Sequence, residues 1–107
     1  MIWEPRLYPD VPHYSTEIEL SGVVYRFEFY WNGREDRWYF DLRALDSTPI
    51  AVGVKIVSNW DSLRTLVHEL RPPGIISFVD LKDPNADAPS FVELGRRVRM
   101  SYDDGIV

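Results

Sequence analysis

The sequence predicts an all-β fold: a small antiparallel six-stranded sandwich or partly open barrel with one short helix. Three observations predict it. Apolar and polar residues alternate with a period of two in several stretches, most clearly over residues 23–31. Clusters of turn residues, such as Ser21-Gly22 and Asp46-Ser47-Thr48-Pro49, separate these stretches at roughly regular spacing. The whole chain has 107 residues, the length of one domain.

Each element can be justified in order. Residues 1–13 carry Pro5, Pro9 and Pro12 among Trp3, Leu7 and Tyr8. Proline at this density blocks helix and favours extended chain, so this segment is expected to be an N-terminal arm. Its apolar side chains need a surface, either the domain itself or a neighbour. A single β domain is expected over 14–103, with a C-terminal tail at 104–107. Residues 14–20 alternate, Ser21-Gly22 turns the chain, and 23–31 alternates again, which makes a hairpin. Val23, Tyr25, Phe27, Phe29 and Trp31 share one face, Val24, Arg26, Glu28 and Tyr30 the other. After the polar stretch 32–36, Trp38, Phe40 and Leu42 point inward, with Tyr39, Asp41 and Arg43 outward. Ile50, Val52, Val54 and Ile56 form the next inward face, with Gly53 marking a bulge or a close backbone approach.

The period then changes. Leu63, Leu66, Val67 and Leu70 have helical spacing, Asn59 or Asp61 stands where a cap would be, and Pro72-Pro73-Gly74 stops the run. This is the one expected helix, of one or two turns. Residues 75–81 are apolar on both parities, which suits a strand buried on both sides. Residues 82–90 are a polar loop, mobile or shaped by a partner. Residues 91–95 suit a turn of helix. Residues 96–103 form the last strand, with Val98, Met100 and Tyr102 inward.

Composition excludes several functions. Hydrophobic residues at 45% and aromatics at 14% argue against disorder. A net charge of −5 disfavours nucleic acid and anionic membranes as partners. There is no cysteine, no apolar run near the ~20 residues of a membrane span, and no signal-peptide pattern at the start. Synthesis in a reducing cytoplasm is the expectation.

No arrangement of side chains calls for catalysis, and the chain is expected not to be an enzyme. His13 and His68 lack the spacing and third ligand of a zinc site. No G-x-S-x-G turn and no phosphate loop is present. Glu17 and Glu19 share the outward face of a strand, where solvation is the simpler reading than acid–base work. Asp83 and Asp87 lack the spacing of a calcium loop. No metal and no cofactor is therefore expected. Trp31, Trp38 and Trp60 suggest a sugar-stacking platform, although Trp31 and Trp38 have core parity. The remaining candidates are contact residues. Trp3, Leu7 and Tyr8 lie on the arm. Tyr30 and Tyr39 face each other across a hairpin on the outward side, as an interface or as a stabilising pair. Arg97 and Arg99, with Arg96, form the one basic cluster, a docking site for an acidic partner or a solvated face.

The order of motifs carries a resemblance. Asp10-Val11-Pro12 is followed by Leu20-Ser21-Gly22-Val23-Val24-Tyr25, Trp31-Asn32-Gly33-Arg34 and Arg37-Trp38-Tyr39-Phe40-Asp41-Leu42. Then come Pro49-Ile50 with Gly53, Leu63, Pro72-Pro73-Gly74, and a closing strand from Leu94-Gly95-Arg96 to Met100-Ser101-Tyr102. The series resembles the baseplate plug family of contractile-tailed bacteriophages over about residues 10–102, leaving residues 1–9 and the tail unmatched. The resemblance implies a structural virion protein near the centre of the tail baseplate, around hub and spike, in several copies. Its partners would be other phage baseplate proteins, and its place the virion after synthesis in the host cytoplasm. It implies no activity and no cofactor, and it carries no binding residues across. A carbohydrate-binding β module, motivated by the tryptophans, is the alternative reading.

Overall fold

The computed structural model describes residues 2–8, 10–64, 66, 68–82 and 87–104, with only the backbone of Ile2 and Trp3. Strand β1 is the two-residue Ile2–Trp3. The others are β2 His13–Leu20, β3 Val23–Asn32, β4 Arg37–Ala44, β5 Pro49–Lys55, β6 Ile75–Asp80 and β7 Val98–Asp103. They form two antiparallel sheets, one of order β2-β3-β4-β5 and one of order β1-β7-β6. The expected all-β sandwich is therefore the observed architecture.

The four-stranded sheet is a meander, as the alternation predicts. Leu20 pairs with Val23 across a two-residue turn. Ser21 and Gly22 both have positive φ, 53° and 81°. That is the geometry of a type I′ turn, whose twist matches the strands it joins. The β4–β5 register slips between Phe40 and Leu42 and again between Leu42 and Arg43. Gly53, at φ 70°, takes up the left-handed conformation of the bulge that its position in the sequence suggests.

The core lies between the two sheets. Phe27, Phe29 and Phe40 from the larger sheet meet Phe78 of β6, which packs edge-on against Phe29 and tilted against Phe40, with centroids 6.3 and 5.6 Å apart. Val98, Met100 and Tyr102 are fully buried from β7, as their parity predicts. Tyr102 also ties the layers by hydrogen bonds. Its hydroxyl lies 2.7 Å from Ser21 Oγ and accepts the Gly74 N–H at 3.0 Å. At Gly74 a Cβ would fall 2.3 Å from the Asp103 carbonyl oxygen, so only glycine fits there.

Four expectations need correction. The helix over 62–70 is not formed: among the described residues this stretch is turns, while Thr65 and Val67 of that reading lie outside them. The run is too short to hold a helix by itself. Arg71 instead donates to the carbonyls of Leu63 and Leu66, both at 2.9 Å, and so satisfies acceptors a helix would have paired internally. Among the described residues of the run only Leu63 is fully inserted in the core. Residues 91–93 are likewise a turn, closed by Glu93 N–H to the Ser90 carbonyl at 3.2 Å. Strand β6 is buried on one face only, with Ile75 48% exposed and Leu81 beyond its end 57% exposed. The sandwich has two layers, and the second apolar face of β6 looks outward. Val52 is 58% exposed, not inward, because the bulge at Gly53 breaks the alternation of β5.

Candidate interaction surfaces

The N-terminal segment is folded onto the domain. Ile2 pairs with Asp103 and Trp3 with Tyr102, which makes β1 the edge of the smaller sheet. Leu7 is 6% exposed and belongs to the core, so a partner cannot reach it. The physical reason is that its side chain joins the hydrophobic cluster formed by the buried residues of both sheets. The surface that this leucine needed is the chain's own. Tyr8 remains 45% exposed, packed edge-on against Tyr14 at 5.4 Å. The side chain of Trp3 lies outside the described residues.

Tyr30 and Tyr39 are directly opposite each other on the outward face of the larger sheet. Their rings stack 6.0 Å apart with planes 13° from parallel. Below them Asp41 is buried to 8% exposure, unusual for a carboxylate on the outer face. Its Oδ1 accepts from the Tyr30 hydroxyl at 3.0 Å and from the Gly53 N–H at 2.8 Å, and its other oxygen meets Arg43 at 3.4 Å. Burial, followed by the hydrogen bond to Asp41, pushes the Tyr30 phenol up to about 12. Tyr39 donates instead to Glu35 at 2.8 Å, which raises its pKa. The same face carries His13 hydrogen-bonded to Glu28 and Arg26 bonded to Glu17. Alternation alone showed the tyrosine pair. It did not show the Asp41 network, since Asp41 reads as a solvated strand residue; the signal was the mid-strand Gly53 opposite it.

The arginines separate into different roles. Arg97 is held by Asp80, itself 7% exposed, at 2.9 Å and by Glu93 at 3.1 Å. Arg96 forms a two-pronged pair with Asp10, which holds that carboxyl below the usual range and ties the N-terminal segment to the loop before β7. Arg99 is exposed, with its Nε–H donating to the Arg96 carbonyl at 3.2 Å and Glu4 at 3.9 Å from its guanidinium. The cluster expected as one docking site is thus largely turned to intramolecular contacts.

The tryptophans do not form a platform. Trp38 is 1% exposed and stacks on Phe91 with planes 9° apart, while Trp31 meets both rings edge-on. Trp60 is 45% exposed, but Arg64 lies over its ring at 4.0 Å. Asp83 of the calcium reading lies outside the described residues; Asp87 pairs with Arg37 at 2.6 Å. Among the described residues no group of three metal-ligating side chains is found.

An apolar end of the domain escaped the sequence reading. Val23, Val24, Leu45 and Leu70 are all exposed and line an open groove of about 530 Å³ with Ala44 and Ile50. Val23 and Val24 read as strand residues, Leu45 as a residue before a turn and Leu70 as part of the expected helix, and only the fold collects them.

The family described as cyanophage baseplate Pam3 plug gp18 matches residues 2–105. The match includes the N-terminal segment that the motif series left out. No curated protein matches the chain.

Proposed function

As the chain belongs to the cyanophage baseplate plug family, we propose that it is a structural component at the centre of a contractile phage tail baseplate, in the hub and spike region, where it acts through protein–protein contacts. The match over 2–105 is the observation that carries this reading. Its surface supports it. An ordered polar sheet face with stacked tyrosines and an apolar end of four exposed aliphatic residues are the kinds of patch that partners cover. The chain does no chemistry in this reading. It is made in the host cytoplasm and enters the virion in several copies.

Purified tail particles test it. The chain should co-purify with hub and spike proteins in a fixed ratio, and density for its sandwich should sit near the tail axis. A chain that stays out of purified particles would overturn the proposal.

A further inference from the structure

The four-stranded sheet ends in two edges, and they are built differently. Strand β5 starts with Pro49, is bulged at Gly53 and ends in Lys55. Those are the devices by which proteins stop a sheet from growing. Strand β2 has none of them. It runs eight residues in unbroken register with β3 and contains no proline, glycine or lysine. In the smaller sheet β6 is shielded, because Asn59 and Ser62 donate to its Phe78 and Ile76 carbonyls at 2.8 Å. Among the described residues no backbone hydrogen bond reaches the outer edge of β2.

The ladder fixes which groups that edge presents. Trp31 N–H donates to the Pro12 carbonyl at 2.9 Å, and the two-residue turn requires Leu20 and Val23 to be a hydrogen-bonded pair. Tyr14, Thr16, Ile18 and Leu20 therefore bond to β3. His13, Ser15, Glu17 and Glu19 turn their N–H and C=O groups outward, and their side chains are the exposed ones. An open cleft of about 460 Å³ borders this edge, lined by residues 16–19 and by Pro5, Arg6 and Tyr8 of the N-terminal segment.

We propose that the outer edge of β2 accepts one further strand: an extended segment of a neighbouring polypeptide that carries Lys or Arg at two positions two residues apart, opposite Glu17 and Glu19. The added strand would hydrogen-bond to Ser15, Glu17 and Glu19, and residues directly opposite on a strand pair share a face. Glu17 is 53% exposed at its side chain although Arg26 bonds one of its oxygens. Glu19 faces Val24 and has no ion pair among the described residues. A second copy of this chain fits less well, since a full-length antiparallel β2–β2 pairing sets glutamates opposite or diagonal to one another. This inference rests on the reading of the chain as one held by its neighbours, and it names the contact.

The test uses the full chain, labelled with nitrogen-15, and a capped peptide Val-Thr-Lys-Val-Lys-Thr-Val beside its counterpart with glutamate for lysine. With the lysine peptide in excess, amide hydrogen exchange at Ser15, Glu17 and Glu19 should slow about tenfold, with Thr16 and Ile18 unchanged. The glutamate peptide should leave all five unchanged. Glu17→Pro removes an outward donor without touching the bonds to β3, and should abolish the protection at Ser15 and Glu19. Resonance shifts without slowed exchange, equal protection by the glutamate peptide, or protection on β5 instead would overturn the proposal. If Glu17→Pro does not fold, the exchange pattern of the unmodified chain decides alone. A chain present in tail particles that ignores the peptide overturns strand addition and leaves the baseplate reading standing.

Discussion

The two faces of the four-stranded sheet come from the same alternating residues but are made solid in different ways. The inner face is dry: Phe27, Phe29 and Phe40 are fully buried against Phe78 of the other sheet. Its order comes from close packing, which tolerates no missing volume. The outer face is wet and has no second layer, yet one carboxylate there is as buried as a core residue. Asp41 holds the Tyr30 hydroxyl, the Gly53 amide and the Arg43 guanidinium. Direct hydrogen bonds do on this side what volume does on the other. They fix the bulge, and the bulge shapes the β5 edge.

The comparison can be broken most sharply from the inside. Phe40→Ala removes a ring that touches Phe27, Phe29 and Phe78, and should cost about 3–5 kcal/mol in urea unfolding. Asp41→Ala removes the acceptor of the outer network and leaves the Gly53 amide unsatisfied. A loss of about 1–3 kcal/mol is expected, with slow-exchange protection lost at Gly53 first. Gly53→Ala keeps those partners but puts a Cβ on a residue at φ 70°, for about 1–2 kcal/mol. If Asp41→Ala costs as much as Phe40→Ala, the division between packed and hydrogen-bonded faces fails.

The smallest effect is a pH dependence. The Tyr30 phenol is raised from 10.0 to about 12 in the folded chain, so folding favours its neutral form. That contribution is intact below pH 10, where the phenol is neutral in both states. It is lost as the pH rises from 10 towards 12, where only the unfolded state ionises. Stability measured across this window should fall less steeply in Tyr30→Phe than in the unmodified chain. Equal slopes would show that the network does not hold the phenol neutral.

Strand parity made most of the sandwich legible in advance. Alternation over 23–31 placed Phe27 and Phe29 inside and Tyr30 outside, and Ser21-Gly22 announced its turn. What failed was local pattern read without its third dimension. Leu63, Leu66 and Leu70 have helical spacing, but the Arg71 guanidinium takes the carbonyls of Leu63 and Leu66 instead, and nothing in a hydrophobic period encodes one side chain capping two carbonyls of the run. Leu7 looked like a partner's anchor because proline-rich segments seldom enter cores; the chain's own core cluster takes it in. Among the contact candidates, Tyr30 and Tyr39 sit together as their parity indicates. The arginines are divided among Asp80, Glu93 and Asp10, and the last of these pairings crosses most of the sequence. The apolar groove was illegible for the same reason, since its members come from the ends of β3, β4 and β5, the turn after β4 and the loop before β6.

The pairing of Ile2–Trp3 with Val98–Asp103 also sets a clock. The meander of the larger sheet can form as soon as residue 55 has left the ribosome, for all its partners are sequential. Strand β1 has no partner until residue 103 appears, roughly 2–10 s later at ordinary translation rates. During that interval the inner aromatic face of the finished sheet has no second layer over it. A nascent chain stalled before β7 should therefore bind holdase chaperones, and release them once the last strand is made.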